Sequence, residues 1–192
     1  MKKGFDSDTF DSQAVFRNVL TAMANPGRIV DMGVDLCPPE ALHQASGAIL
    51  LTLLDYETPF WCDLDTASEA ARWVSFHTGA PGIQTRKQSA FALYTDYDNL
   101  DDPGTFNMGT IASPDCSTTL IVQTRGMDNK GRIRMTGPGI QKECFLKLKG
   151  IKEGFLRKRM ALSAHYPLGV DMIFVCDRVL AAVPRTTRLE IL

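Results

Sequence analysis

Three stretches of this 192-residue sequence carry side chains suited to holding an anion. The first is Arg134-Met135-Thr136-Gly137-Pro138-Gly139-Ile140, a glycine-rich turn next to a threonine, with Arg132 just upstream. Glycine loops cradle phosphates by exposing backbone N–H groups at the start of a helix. Here Pro138 removes one of those donors and no Gly-Lys-Ser/Thr follows, so this is not a Walker loop. It reads first as a corner linking a strand to a helix. Its anion-binding alternative would use Arg134, Thr136, Gly137 and Gly139.

The second stretch, Arg185-Thr186-Thr187-Arg188, follows Pro184. The planar fork of arginine matches phosphate or phosphonate oxygens. In an extended strand Arg185 and Thr187 would share one face, and Thr186 and Arg188 the other. An exposed edge strand blunted by charge is the competing reading. The third is His165 with Asp171, near enough in sequence for the carboxylate to orient the imidazole. Such a pair means catalysis only when a nucleophile or substrate lies beside it. No Gly-X-Ser-X-Gly elbow supplies one.

Other chemistries find little support. His43, His77 and His165 are not spaced to share a metal. The five cysteines form no Cys-X-X-Cys pair and no cluster with histidine, so no metal site is expected. Cys62 and Cys176 fall in apolar runs, where a reduced thiol acts as a small hydrophobe. His77, just before Gly79, reads as a group at a helix C-terminus, which favours its charged form. The lysines all sit in polar or charged surroundings, so a desolvated Schiff-base lysine is hard to find.

Composition narrows the class further. The net charge is −1, from 21 basic and 22 acidic residues, so the basic excess of a dedicated nucleic-acid binder is missing. No apolar run approaches the roughly 18 residues of a membrane span. The first residues, Met1 to Asp6, lead into polar and acidic sequence instead of a hydrophobic signal core, which predicts a cytoplasmic protein. At 44% hydrophobic, the chain fits one globular domain spanning residues 1–192.

The elements that must position these residues alternate in type. A first helix is expected from Asp11 or Ser12, burying Phe16, Val19, Leu20 and Met23, and stopped by Asn25-Pro26-Gly27. A strand follows over Arg28 to Met32. Pro38-Pro39 opens a second helix running to Leu54, with a wide apolar face. A short strand covers Pro59 to Cys62, and a third helix starts at Asp65 or Thr66 and ends at Gly79. Ala90 to Thr95 is a strand. Thr118 to Gln123 and Arg132 to Met135 flank Asp128-Asn129-Lys130-Gly131, which predicts a hairpin. A basic helix over Ile151 to Ala164 precedes a strand over Val170 to Cys176. Asp177-Arg178 then turns the chain into Val179 to Val183. Strands interleaved with helices and hairpins predict an α/β fold with a mixed sheet.

Several of these stretches occur together, in order, in one family. They are Met23-Ala24-Asn25-Pro26-Gly27, the Leu50 to Trp61 run with Asp55 and Thr58-Pro59, and Phe76-His77-Thr78-Gly79-Ala80-Pro81. Thr136 to Ile140, His165 to Asp171 and Pro184-Arg185-Thr186-Thr187 follow. Each is weak alone; their order and spacing resemble the PhnH family, a component of the bacterial carbon–phosphorus lyase system. The resemblance spans most of the chain. It implies a three-layer fold similar to pyridoxal-phosphate-dependent transferases, with helices on both faces of a central mixed sheet and no cofactor site. It also implies a homodimer that joins subunits G, I and J. With those partners the system takes ATP and an alkylphosphonate and displaces adenine, giving a ribose 1-phosphonate 5-triphosphate. No catalytic residue is carried over. Two readings of the chain follow: an assembly subunit with little chemistry of its own, or one that lends Arg134 or Arg185 to a shared nucleoside-transfer site. Outside the resemblance, the alternative is a stand-alone phosphate-ester or nucleotide-processing enzyme using His165 and Asp171.

Overall fold

The computed structural model describes residues 1–192. Four helices and nine strands alternate along the chain. They are α1 (Asp8–Ala24), β1 (Val30–Asp31), α2 (Gln44–Leu53), β2 (Phe60–Cys62), α3 (Glu69–Thr78), β3 (Phe91–Tyr94) and β4 (Thr119–Gln123). Then come β5 (Gly126–Thr136), β6 (Cys144–Lys149), α4 (Glu153–Leu162), β7 (Asp171–Cys176), β8 (Val179–Val183) and β9 (Arg188–Ile191).

Six strands form the main sheet in the order β1-β8-β7-β4-β3-β2. β2, β3, β4 and β7 run parallel, while β8 is antiparallel to β7 and β1 to β8. The sheet is therefore mixed, as the sequence predicts. Strands β3, β4, β7 and β8 are buried on both faces, so their alternate residues feed two separate cores. Ile121, Ile173, Val175, Leu180 and Ala182 face α1, α2 and α3. Leu120, Val122, Met172, Phe174 and Ala181 face the opposite layer. That layer corrects the expectation of helices on both faces. It is a second, antiparallel sheet of order β6-β5-β9, accompanied by the single helix α4.

The second sheet also replaces the expected hairpin. β4 lies in the main sheet and β5 leaves it, so Asp128-Asn129-Lys130-Gly131 is not a turn. It is an irregular step inside β5, where pairing to β6 shifts between Asp128 and Ile133. Gly131 is required there because a Cβ would lie 2.0 Å from the Leu146 carbonyl oxygen. Glycine permits that close backbone approach.

The helices differ from expectation mainly at their starts. α1 begins at Asp8, and Asp11 acts from inside the first turn, its carboxylate accepting the Ser7 N–H at 2.9 Å. α1 buries Val15, Val19 and Ala22, leaving Phe16 and Leu20 about half exposed, so the inward face is rotated from the one predicted. Pro38-Pro39 does not open α2. Residues 32–38 form no helix; they bend at Gly33-Val34 and bury Met32, Val34, Leu36 and Pro38 alternately, and the helix starts at Gln44. The apolar side of α2 is turned inside the molecule, since Ala45 through Leu50 are all buried. α3 is capped by Ser68, whose hydroxyl accepts the Ala71 N–H at 3.2 Å. Asp65 instead shapes the preceding turn by accepting the Ala67 N–H. Trp73 on α3 is fully buried, a burial worth about 3 kcal/mol by apolar area alone.

Candidate functional site

The stretches singled out in the sequence meet in pairs. The corner at Gly137-Pro138-Gly139 does turn the chain, but from β5 into β6, not into a helix. Gly139 has φ +81, and a Cβ there would stand 2.3 Å from the Ala24 carbonyl oxygen and 2.8 Å from Pro26. This loop therefore rests directly on the Ala24-Asn25-Pro26 end of α1. Cys144 Sγ donates to the Pro26 carbonyl and Asn129 to that of Gly27, closing the same contact. On the other side, Thr58-Pro59 and Ala80-Pro81 meet where the Phe60 N–H donates to the Pro81 carbonyl.

The pair with most charge is Asp171 and Arg185. Asp171 begins β7 and Arg185 follows the end of β8, so the antiparallel hairpin sets them side by side. Asp171 accepts the Arg185 backbone N–H at 2.7 Å, and its Oδ2 accepts from Arg185 Nη2 at 2.5 Å. Both side chains are mostly buried, at 15% exposure for Arg185 and 12% for Asp171. Arg185 Nη1 donates to the Pro114 carbonyl. Behind this pair lies Arg159 of α4, only 1% exposed. Its Nη2 donates to the Pro184 carbonyl at 2.7 Å and its Nη1 to Ser163 Oγ at 3.3 Å. Burial pulls the Arg159 pKa below its usual value, opposed by the nearby Asp171 carboxylate.

Residues 184–187 form a tight turn, closed by the Thr187 N–H donating to the Pro184 carbonyl, rather than the extended edge strand predicted. The alternation argument therefore fails: Thr187 is fully buried while Arg185 lines the cleft. The strand proper, β9, begins at Arg188, which stands opposite Thr136 of β5.

Above the Asp171–Arg185 pair opens a cleft of about 370 Å³. Thr136, Gly137 and Pro138 from the end of β5 form one wall. Arg185, Thr186 and Arg188 form the second, and Ser163 and Tyr166 from the segment after α4 complete it. The predicted residues Thr136, Gly137, Arg185 and Thr186 are thus brought together; Gly139 and Thr187 support the walls from behind.

Two candidates fall elsewhere. Arg134 lies in a neighbouring groove with Glu190, Leu189 and Arg188. There it is held between Glu143 at 2.7 Å and Glu190 at 2.8 Å, so its charge is already matched. His165 is exposed, and the Asp171 oxygens are engaged by Arg185, so the expected His–Asp pair does not form.

Sequence reading missed Ser163 and Tyr166, and it offered Arg188 only as the second arginine of the anion-holding stretch 185–188. Arg188 is exposed and makes no ion pair. What the fold adds is the Thr136↔Arg188 register, which sets that arginine beside the end of β5.

The remaining polar clusters are closed. Arg86 lies 4.6 Å from the Trp61 ring centroid, with its charge taken by Asp101 at 2.5 Å. Burial raises the thiol pKa of Cys62, Cys144 and Cys176, so none is an activated thiolate, in keeping with small-hydrophobe behaviour for Cys62 and Cys176. No three His, Cys, Asp or Glu side chains are grouped to hold a metal ion. No helix is long and apolar enough to cross a membrane.

Residues 3–190 match the family of bacterial phosphonate metabolism proteins, PhnH. The chain belongs to the PhnH family. Among its relatives is the alpha-D-ribose 1-methylphosphonate 5-triphosphate synthase subunit PhnH of Rhizobium meliloti. It is 34% identical over 187 residues, covering 97% of this chain and 94% of that protein. A putative C-P lyase subunit protein, HtxG of Stutzerimonas stutzeri, is 28% identical over 179 residues, covering 93% and 86%. The family match runs from before α1 to Glu190 within β9, so it takes in every residue that lines the cleft.

Proposed function

We propose that this chain is a subunit of a carbon–phosphorus lyase core complex, serving the ATP-dependent synthesis of a ribose 1-phosphonate 5-triphosphate. In that reaction an alkylphosphonate displaces adenine from ATP. The observation that carries the reading is near-complete coverage, 97% of this chain and 94% of the Rhizobium synthase subunit, at 34% identity. The chain acts mainly in assembly, because its cleft holds no nucleophile paired with a base. It works in the cytoplasm as a homodimer, joined to subunits G, I and J. The outer side of α1 supports that association: Phe10, Phe16 and Leu20 are 75%, 46% and 50% exposed on one helix. The wide apolar face of α2, by contrast, is buried within the chain.

The architecture is akin to that of pyridoxal-phosphate-dependent transferases, without the cofactor. No lysine lines the cleft, and the polar groups at the carboxyl ends of the parallel strands bond one another. A stand-alone phosphate-ester or nucleotide-processing enzyme would need His165 oriented by Asp171, which Arg185 occupies instead. The test is reconstitution with subunits G, I and J, following adenine release from ATP with methylphosphonate. Release that requires this chain supports the assignment; the same rate without it refutes the assignment.

A further inference from the structure

The cleft at the end of β5 carries more positive charge than its carboxylate balances. Arg159, Arg185 and Arg188 lie in or directly behind it, and the carboxylate bonded among them is Asp171. Two buried polar atoms at the same place have no hydrogen-bond partner: Arg159 Nε and Thr187 Oγ1. A buried cationic group without a full complement of acceptors is destabilising, and an anion docked nearby relieves that penalty.

We propose that this cleft is a binding site for a compact tetrahedral dianion, the phosphate or phosphonate group of a small organic molecule. The site belongs to this chain alone and does not depend on its place in the synthase. Arg185 is held ready. Of the five N–H donors of a guanidinium, those on Nε and one on each Nη are committed to Asp171 and the Pro114 carbonyl. One N–H on each terminal nitrogen stays free, on a side chain that cannot swing away. Ser163 Oγ accepts from Arg159 Nη1, which leaves its own hydroxyl proton to donate. Arg188 brings an unpaired charge at the rim, and Thr136 and Thr186 add hydroxyls. A volume of about 370 Å³ is at the small end for a ligand pocket and takes more than the bare anion.

The neighbouring groove sets the size of the ligand. There Arg134 is bonded by both Glu143 and Glu190, so its guanidinium is not left for a second phosphate group. A polyphosphate tail extending along β9 would meet those carboxylates, so a single phosphoryl or phosphonyl group is favoured.

Calorimetric titration of the full-length chain with methylphosphonate and with inorganic phosphate tests this. Saturable binding of at least one is expected. Arg188→Ala should weaken it about tenfold or more while leaving the melting temperature unchanged, because that side chain is exposed. Ser163→Ala should weaken it several-fold, and Arg134→Ala should leave it within about twofold. Tighter binding of methylphosphonate would identify the phosphonate as occupant; tighter binding of phosphate would identify a phosphate or its ester. Either result supports the site. No saturable binding at about 10 mM, unaltered binding by Arg188→Ala, or loss of binding by Arg134→Ala overturns it. Failure here would leave adenine release by the reconstituted complex untouched, so the two proposals are judged separately.

Discussion

At the carboxyl ends of the parallel strands, Asp63, Gln123 and His43 direct their polar groups to the chain itself. At the amino ends, around Asp171 and Arg185, charge and hydrogen-bonding capacity are left over. Asp63 Oδ1 accepts from the backbone and side chain of Thr95, both at 2.9 Å, and its Oδ2 accepts the Asp96 N–H. Gln123, 3% exposed, accepts the His43 N–H at 2.6 Å and donates to the Ala41 and Thr95 carbonyls. Open α/β sheets usually bind ligands outside the carboxyl ends of their strands. Here that end is plugged by residues 41–43, and the cleft opens at the other. The difference is that spare charge and spare hydrogen-bonding capacity lie at the amino ends, which is why the proposed site is placed there.

Breaking the cleft's support should have the largest effect. Gly139→Ala combines a positive φ with a Cβ driven into the Ala24 carbonyl oxygen, and should cost about 3 kcal/mol in urea unfolding. A loss below about 0.5 kcal/mol would mean that the loop does not rest on α1 as described.

Opening the plug comes next. Gln123→Ala leaves the His43 N–H and two carbonyls without their partner, which should cost about 2 kcal/mol. Anion binding at the other end should be unchanged. If Gln123→Ala weakened binding as much as Arg188→Ala does, the two ends would not be separable.

The smallest effect is a pH dependence. Burial lowers the His43 pKa from its ordinary value near 6.5, and its Nδ1 accepts the Asp177 N–H at 3.1 Å, which requires that nitrogen unprotonated. The unfolded chain then binds a proton more readily than the folded one. Stability is fully present above about pH 6.5 and declines as pH falls below it toward the lowered folded value. Replacing the imidazole, His43→Gln, should flatten that decline in melting curves taken from pH 7 to 5. A slope unchanged by the substitution would assign the effect to other groups.

Much of the frame was legible because its signals are local. The β7–β8 hairpin lies on a continuous apolar run broken by Asp177-Arg178, and α3 follows from Ala70, Trp73, Val74 and the Gly79 stop. What was misread depends on distant partners. Arg134 looked free, yet one of its two glutamates lies 56 residues away on β9. Asp171 looked paired with His165, six positions before it, but the hairpin delivers Arg185 instead. The second sheet was hidden because Asp128-Asn129-Lys130-Gly131 has the composition of a turn, while its glycine serves an irregular step against β6. Thr136, Gly137, Arg185 and Thr186 were found as anion candidates from residue type alone; that they face one cleft required the fold.

The division between the two ends is tested most directly by amide hydrogen exchange with and without methylphosphonate. Protection should appear at residues 136–139, 163–166 and 184–188, which form and support the cleft. Residues 41–43, 63–66 and 94–99 at the plugged end should exchange as before. Protection confined to that end, or none at a saturating concentration, would contradict the account.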